Sequence, residues 1–263
     1  MGGGTPTTLS ASQLDRLLAA AEAHLPLAGC REMTVEAGRP DTITREKLEV
    51  LARRGCGRVS VNPQTMSDQV LQAIGRRHTA RDIREAFCTA REVGFACINM
   101  DLIAGLPQDS VEGFRDSLEE VLALRPENIT VHTLAMKKGS RLMEEGGALP
   151  SSEETGRMVN LSLEALEGAG YRPYYLYRQK YMSGGLENVS WCLPGTENHY
   201  NIIMMEELQS VLSLGAGGVT KLVDRSSGRI VRLTNPKYPH DYLAMSAKVL
   251  EQKDEILRFY REV

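Results

Sequence analysis

The sequence predicts an α/β fold, because helical and strand-like segments alternate through its first half. Between residues 10 and 134, amphipathic stretches that stop at glycine or proline are followed by short β-rich runs. Strands separated by helices of this length pair in parallel through right-handed crossovers. We therefore expect part of an α/β barrel or of a doubly wound sheet, in which ligands bind at the carboxyl ends of the strands.

The helices of the first half have recognisable starts and stops. Ser10-x-x-Gln13 is a capping box, Thr79-x-x-Asp82 an imperfect one, and Asp109-x-x-Glu112 a further cap. Gly55, Gly94 and Pro126 act as stops. The predicted helices after the first are 44–54, 68–74, 81–93 and the stretch that follows the third cap. The predicted strands are 33–35, 58–61, 95–103 and 129–134.

After Gly139 the pattern changes, and we expect one domain over 1–140 and a second over 141–263. Ser151-x-x-Glu154 caps a helix that ends at Gly170. Residues 183–201 are polar with glycine and proline, so we expect a functional loop there. The remaining predicted elements are a strand at 171–179, a helix at 202–212, a strand at 229–233 and a final helix at 242–262.

Charge and composition narrow the function classes. The chain has 31 Lys+Arg against 34 Asp+Glu, a net charge of −3, which argues against nucleic-acid binding. No run of about 18 apolar residues and no secretory signal is evident, so we expect no membrane span and a cytoplasmic protein. The five cysteines show no C-x-x-C spacing, which is typical of free thiols in a reducing cytosol.

Several polar or glycine-rich features fall at predicted strand ends. Gly2-Gly3-Gly4-Thr5-Pro6 would let a ligand lie against the backbone, although a flexible tail is an alternative. Glu36 and Gln64 follow strands, and Arg76 lies in Arg76-Arg77-His78. From the residues alone, a solvated loop charge is the more common explanation for Glu36, and a polar loop and a solvated helix end are the more common explanation for Gln64 and Arg76. Asp101 lies inside an apolar strand, where an unpaired carboxylate is costly, and it suits ribose hydroxyls.

Taken in order, these features resemble the radical S-adenosylmethionine (SAM) enzymes of the oxygen-independent coproporphyrinogen III oxidase group. The resemblance continues through Asp101-Leu-Ile-Ala-Gly-Leu-Pro107 and Trp191-Cys-Leu-Pro-Gly-Thr-Glu-Asn-His-Tyr-Asn201. Met205-Glu-Glu207 and Leu214-Gly-Ala-Gly-Gly-Val-Thr-Lys221 are most like the HemZ-type coproporphyrinogen dehydrogenase branch. The resemblance implies a partial radical-SAM (β/α) barrel with a C-terminal α+β extension.

The resemblance also implies roles for single residues. Gly3, Gly4 and Thr5 match the glycine motif at the methionine end of SAM, and Glu36 matches an acidic ligand of that cofactor. The positions that match a second SAM site are Gln64, Arg76, Asp101 and Ala135, and Val219 matches a further cofactor contact.

The implied chemistry is an oxidative decarboxylation in porphyrin and haem biosynthesis. In the family, a [4Fe-4S] cluster reduces SAM to a 5′-deoxyadenosyl radical, which removes a hydrogen atom from a propionate of coproporphyrinogen III. Loss of carbon dioxide and one electron then leaves a vinyl group and gives protoporphyrinogen IX. The implied partners are this porphyrinogen substrate and an unidentified electron donor.

One departure concerns the cluster. The family's C-x-x-x-C-x-x-C motif precedes the glycine motif, and this chain begins at Met1, directly before Gly2. None of the five cysteines replaces it, so we expect a fragment or a truncated product that is inactive without that segment.

Two other functions remain open. A haem chaperone related to the same enzymes is one, although Asn198-His199-Tyr200-Asn201 lacks the tryptophan that follows in the chaperones' haem motif. The second is a radical SAM enzyme with another substrate.

Overall fold

The computed structural model describes residues 1–135, 149–178 and 186–262. They belong to two compact units, Met1–Glu197 and Asn198–Val263. The domain boundary expected at residue 140 lies outside the described residues and stays a prediction, as does the change of pattern at Gly139.

The helices of the first unit begin at side-chain caps. They are α1 (Ala11–His24), α2 (Arg45–Arg53), α3 (Asp68–Ala73), α4 (Ala80–Val93), α5 (Val111–Leu124) and α6 (Ser152–Gly168). Ser10, Thr79 and Ser151 each form a complete capping box, so the cap of α4 is better than the sequence suggested.

The cap of α5 differs from the expected one. Ser110, not Asp109, accepts the hydrogen bond of the Gly113 N–H, at 3.0 Å. The Asp109 carboxylate instead accepts from the Ser110 N–H at 2.9 Å. The prediction was one residue too early, because either short polar side chain can serve as a cap in sequence.

A six-stranded sheet with the order β1-β2-β3-β4-β6-β5 organises the first unit. Its strands are β1 (Thr34–Val35), β2 (Arg58–Ser60), β3 (Cys97–Ala104), β4 (Asn128–Thr133), β5 (Arg172–Tyr177) and β6 (Asn188–Cys192). The first four strands are parallel, as predicted, and β6 pairs antiparallel with both β4 and β5.

The two faces of this sheet differ in polarity. Ile98, Met100 and Leu102 of β3 are fully buried in the apolar core, which also contains residues of α1, α2 and α5. Asn99 and Asp101 alternate with them and are half-buried. Because side chains alternate along a strand, the sheet has one apolar face and one polar face.

The loop predicted over 183–201 is wrong for the stretch that forms β6. Asn188, Ser190, Trp191 and Cys192 are buried there. The Asn188 side chain accepts from the Thr133 N–H at 2.7 Å, and so the polar residues of this strand find partners across the sheet. Residues 183–185 of the predicted loop and residue 179 of the preceding predicted strand lie outside the described residues.

The second unit combines a hairpin with helices. Its elements are α7 (His199–Met205), β7 (Val219–Val223), β8 (Ile230–Thr234), α8 (Pro239–Ala244) and α9 (Ser246–Glu262). The antiparallel pair β7–β8 and α9 enclose a small core of Leu222, Leu233 and Phe259. None of the helices in the described ranges combines the length and hydropathy that crossing a bilayer requires.

Three expectations for the second unit need correction. The helix predicted at 202–212 is shorter and earlier, because Glu207 takes a left-handed conformation with φ of +51° just after α7. The final helix is divided in two at Met245. Strand β7 was not predicted.

Candidate functional site

A cleft of about 240 Å³ lies at the carboxyl ends of β1 and β2. Six of its lining residues are ones to which the resemblance gave cofactor roles: Gly3, Gly4, Thr5, Glu36, Gln64 and Arg76. The other lining residues are Gly38, Arg39 and Asn62. The cleft therefore lies where sheets of parallel strands bind their ligands.

The start of the chain is held beside β1 by backbone hydrogen bonds. The Met1 ammonium donates to the Thr34 carbonyl at 2.5 Å, and the Glu36 N–H donates to the Met1 carbonyl at 2.9 Å. This pairing brings Gly2 so close to the Glu36 carboxylate that a β-carbon on Gly2 would collide with it. A side chain at position 2 would therefore require the Glu36 carboxylate to move.

Gly3 and Gly4 leave one wall of the cleft open. Gly3 has φ of +99°, a conformation that other residues adopt rarely. A β-carbon at Gly3 or Gly4 would meet no atom within 4 Å, so no residue of the described ranges fills this space. A ligand can therefore approach the backbone closely at this wall.

Gln64 is a buried polar residue with an unusual backbone. Its φ is +69°, and its side chain is 9% exposed. Its N–H donates to the Asp101 carbonyl, and its own carbonyl accepts from the Ile103 N–H, both at 2.9 Å. The side-chain amide lines the cleft and makes no hydrogen bond with the described residues, so it is available to a ligand.

Two guanidinium groups, those of Arg39 and Arg76, line the cleft. Asp41 accepts from Arg39 Nε at 3.2 Å and from Arg39 Nη2 at 2.9 Å, which raises the pKa of Arg39 and lowers that of Asp41. Arg76 forms no ion pair with the described residues, and burial and then the charge of Arg39 lower its pKa. A ligand carboxylate is the natural partner for this unpaired group.

His78 is buried next to Asp41, the ion-pair partner of Arg39. Its Nδ1 is 3.5 Å from Asp41 Oδ1, and neither ring nitrogen makes a hydrogen bond in the described part of the chain. Burial first, and the charge of Arg76 second, lower the pKa of His78. The ring therefore favours its neutral form and packs against the carboxylate that orients Arg39.

The other three predicted residues are outside the lining of the cleft. Asp101 is on β3, where its Oδ1 accepts from Asn99 Nδ2 at 2.8 Å. Ala135 lies two residues after the end of β4 and is half-buried. Val219 begins β7 in the second unit and is exposed.

Sequence reasoning missed three lining residues, Gly38, Arg39 and Asn62. The sequence could have indicated two of them. Gly38 and Arg39 follow Glu36 and Ala37 in the same loop after a predicted strand. Asn62 also follows a strand, but its side chain is short and ordinary for a loop.

Comparison with known proteins identifies the family. Residues 1–121 match the model of the radical SAM superfamily. The chain is also 42% identical, over its whole length, to the oxygen-independent coproporphyrinogen-III oxidase-like protein HemZ of Bacillus subtilis. The chain belongs to the radical SAM superfamily.

Other relatives carry related names. The chain is 34% identical to the heme chaperone HemW of Bacillus subtilis over 72% of this chain and 50% of that relative. The solved structure of coproporphyrinogen III oxidase HemN from Escherichia coli matches 90% of this chain and 54% of its own, with a TM-score of 0.72 and 22% identity. This likeness shows the shared α/β fold. The chain spans about half the length of the curated relatives it matches, 52% for HemZ.

The radical SAM superfamily implies SAM and a [4Fe-4S] cluster, and the cysteines of this radical SAM chain do not fit the cluster. In the described residues, no three His, Cys, Asp or Glu side chains are grouped as metal ligands. Burial raises the pKa of Cys56 and of Cys192 to about 11 and that of Cys97 to about 12, which favours the protonated thiol. Cys30 and Cys88 are exposed and far apart in sequence.

Proposed function

We propose that this chain acts in porphyrin biosynthesis, in an oxygen-independent oxidoreductase that converts propionates of coproporphyrinogen III to vinyl groups and gives protoporphyrinogen IX. The observation that carries the proposal is the 42% identity to HemZ over the whole chain. A cytoplasmic location, a porphyrinogen substrate and a separate electron donor belong to the same proposal.

SAM fits the cleft by charge. Its methionine end carries an ammonium, which suits the Glu36 carboxylate and the open backbone of Gly3 and Gly4. The Arg76 guanidinium of the same cleft suits the carboxylate of a second SAM. When bound, SAM would supply the chemistry that removes a hydrogen atom from a propionate side chain. The residues of this chain bind and orient the cofactor and keep water away.

Gln64, Arg76, Asp101 and Ala135 are proposed to bind a second SAM, and Val219 to make a further contact. For Gln64 the support is its unpaired amide at the cleft. For Asp101 it is the hydrogen bond between its carbonyl and the Gln64 N–H, which ties this residue to the cleft wall.

Calorimetric titration with SAM tests the cofactor site. Arg76→Ala is expected to weaken binding about tenfold to a hundredfold, because a charge-assisted hydrogen bond contributes roughly 1.5–3 kcal/mol. Arg77→Ala is the matched control, since Arg77 is exposed and outside the lining of the cleft. Equal affinities for the two variants would contradict the placement of SAM in this cleft.

The reaction is tested in a version joined to the family's cysteine motif. Anaerobic incubation with SAM, a reductant and coproporphyrinogen III should give a vinyl product in chromatography. Formation of 5′-deoxyadenosine without a vinyl product would indicate another substrate.

A haem chaperone is the second candidate, favoured by the 34% identity to HemW. His199, the first residue of α7, is then the candidate haem ligand. A Soret band that develops on addition of haemin and is lost in His199→Ala would support this function over the enzymatic one.

A further inference from the structure

Two short 3₁₀ turns flank the cleft, and each directly follows a segment that lines it. The first turn, Pro6–Thr8, follows the glycine wall of the cleft, which is formed by residues 3–5. The second turn, Pro40–Thr42, follows the Glu36 wall, which is formed by residues 36, 38 and 39. The distance between the two turns therefore influences the distance between the two walls.

Two threonine hydroxyls join these turns. The Thr7 hydroxyl is 3.1 Å from the Ala37 carbonyl oxygen and 2.6 Å from the Thr42 hydroxyl. Thr42 in turn donates to the Arg39 carbonyl at 2.8 Å, so Thr7 is the donor in the contact between the two hydroxyls. Thr7 is fully buried and Thr42 is half-buried, which shelters these hydrogen bonds from water.

Lys47 of α2 binds a backbone carbonyl of each turn. Its Nζ donates to the Thr7 carbonyl at 2.7 Å and to the Thr42 carbonyl at 2.9 Å. The last carbonyls of a helical turn have no partner within it and carry a partial negative charge that attracts a cation. Lys47 and the hydroxyls of Thr7 and Thr42 thus form a clamp between the two turns.

Helix α2 does not depend on this contact for its own place. Leu48 and Leu51 are fully buried in the core, and Thr44 caps the first turn of the helix. Loss of the Lys47 amino group should therefore release the two 3₁₀ turns and leave the helix packed.

We propose that Lys47 is a positioning residue for the cofactor, which fixes the glycine wall against the Glu36 wall and so determines how well the methionine end of SAM fits. This inference rests on the proposed function, in which the SAM ammonium binds between Glu36 and the open backbone of Gly3 and Gly4. Lys47 is outside the lining of the cleft and acts through the two turns. Walls that are ordered before binding consume less of the binding free energy, so affinity depends on the clamp.

Calorimetric titration of the 263-residue chain with SAM tests this role. Lys47→Met keeps the apolar stem and removes the donor, and it is expected to weaken SAM binding about tenfold, because the walls must then be ordered on binding. The adenosine end is unaffected, so 5′-methylthioadenosine, which lacks the amino-acid end, should bind wild type and Lys47→Met equally. Thr7→Val removes the hydroxyl and should also weaken SAM binding, whereas Thr7→Ser keeps the hydroxyl and should restore it.

Hydrogen exchange of the protein without SAM tests the clamp independently of the cofactor. The Leu9 and Ile43 amides close the two turns by donating to the Pro6 and Pro40 carbonyls, both at 3.1 Å. Peptides that contain these amides should exchange faster in Lys47→Met than in wild type, whereas peptides of β3 and β4 should exchange at the wild-type rate. Unchanged exchange at both turns overturns the clamp.

Tyr171→Phe is the matched control for a loss of stability away from the cleft. The Tyr171 hydroxyl donates to the Pro126 carbonyl at 2.6 Å, just before β4, so this variant should melt at a lower temperature and bind SAM as wild type does. Wild-type SAM affinity in Lys47→Met, or an equal fall for both ligands, overturns the positioning role while the cofactor site stands. If wild type binds no SAM, the proposed cofactor site fails, and the positioning role fails with it.

Discussion

Single residues of the candidate site adopt backbone conformations that their side chains do not favour. Gln64 has φ of +69°, which costs a non-glycine residue about 1–2 kcal/mol. Two backbone hydrogen bonds to β3 hold it there and keep its amide at the cleft. Strain of this kind concentrates at functional sites, which is consistent with a binding role for Gln64.

Gly105 is the residue for which we predict the clearest backbone effect. Its φ is +84°, and a β-carbon would lie 3.0 Å from Thr155 Oγ1 of α6. Gly105→Ala is therefore expected to lower the free energy of unfolding by at least about 1–2 kcal/mol, measured by urea denaturation.

The control for Gly105→Ala is Gly156→Ala. Gly156 lies inside α6 with open space around its Cα, and alanine should stabilise the helix by about 0.5–1 kcal/mol. Equal effects of the two substitutions would refute the argument from the backbone of Gly105.

His78 makes stability depend on pH. Because its pKa is lowered in the folded state, the unfolded chain binds the proton more readily, and stability falls as pH drops below about 6.5. The slope is at most about 1.4 kcal/mol per pH unit. Asp41, whose pKa is lowered, adds a loss only below about pH 4.

The contribution of His78 is measured as a difference between proteins. Asp109, whose pKa is raised by burial, works in the opposite direction, so the melting of wild type and His78→Gln is compared from pH 7 to pH 5. The difference in stability should shrink or reverse towards pH 5. The exposed His24 provides the control, and His24→Gln should keep the pH dependence of wild type.

At the scale of elements, local caps determine where the helices begin, whereas pairing between distant segments determines where strand β6 forms. The helices begin at caps formed by residues three apart, as in the boxes of Ser10, Thr79 and Ser151. Strand β6 depends instead on partners in β4, including the bond of 2.7 Å between the hydroxyls of Thr130 and Ser190. The junction between parallel and antiparallel strands therefore rests on polar contacts that a window of sequence does not contain.

The cap of α4 gives an element-scale prediction. Thr79 Oγ1 accepts from the Asp82 N–H at 3.3 Å, and the Thr79 N–H donates to Asp82 Oδ2 at 2.7 Å. Thr79→Ala should lower stability by about 1 kcal/mol in chemical denaturation.

Thr89 of the same helix is the matched control. The Thr89 side chain is half-buried, and its hydroxyl donates to the Glu85 carbonyl one turn earlier at 2.7 Å. Because alanine is the better helix former, Thr89→Ala should be neutral or slightly stabilising. A loss equal to that of Thr79→Ala would mean that the cap adds nothing.

At the scale of the whole molecule, the cleft lies at the carboxyl ends of β1 and β2, and the polar face of the sheet lies next to it with Asn99 and Asp101. The apolar face of the same sheet, with Ile98, Met100 and Leu102, packs in the core. One sheet thus packs into the core through one face and presents half-buried polar side chains on the other.

The whole chain, expressed alone, is expected to bind no [4Fe-4S] cluster. The five cysteines do not come together as a group of three cluster ligands in the described residues. Burial also raises the pKa of Cys56, Cys97 and Cys192, which favours their protonated thiols. Anaerobic reconstitution with iron and sulfide, followed by iron analysis and EPR, measures this. About four irons per chain with a reduced-cluster signal would contradict the expectation.

The sequence by itself determined the parallel strands, most helix bounds and much of the cleft. Apolar alternation, caps and glycine stops involve residues a few positions apart, so they can be read along the chain, as at Thr79 and Gly94. The resemblance to radical SAM enzymes added Glu36 and Arg76, which line the cleft.

Only the tertiary structure decided how the polar segments are used. The sequence of strand β6 predicts a loop. In the structure, the Asn188 side chain accepts a hydrogen bond from the Thr133 N–H on β4, and the segment forms a strand. A β-bulge at Tyr174 of strand β5 depends on pairing with β6 and decides that Tyr175 and Tyr177 face the polar side. In each case the partner that satisfies a polar group is distant in sequence, and burial of that group is favourable only once the partner is in place.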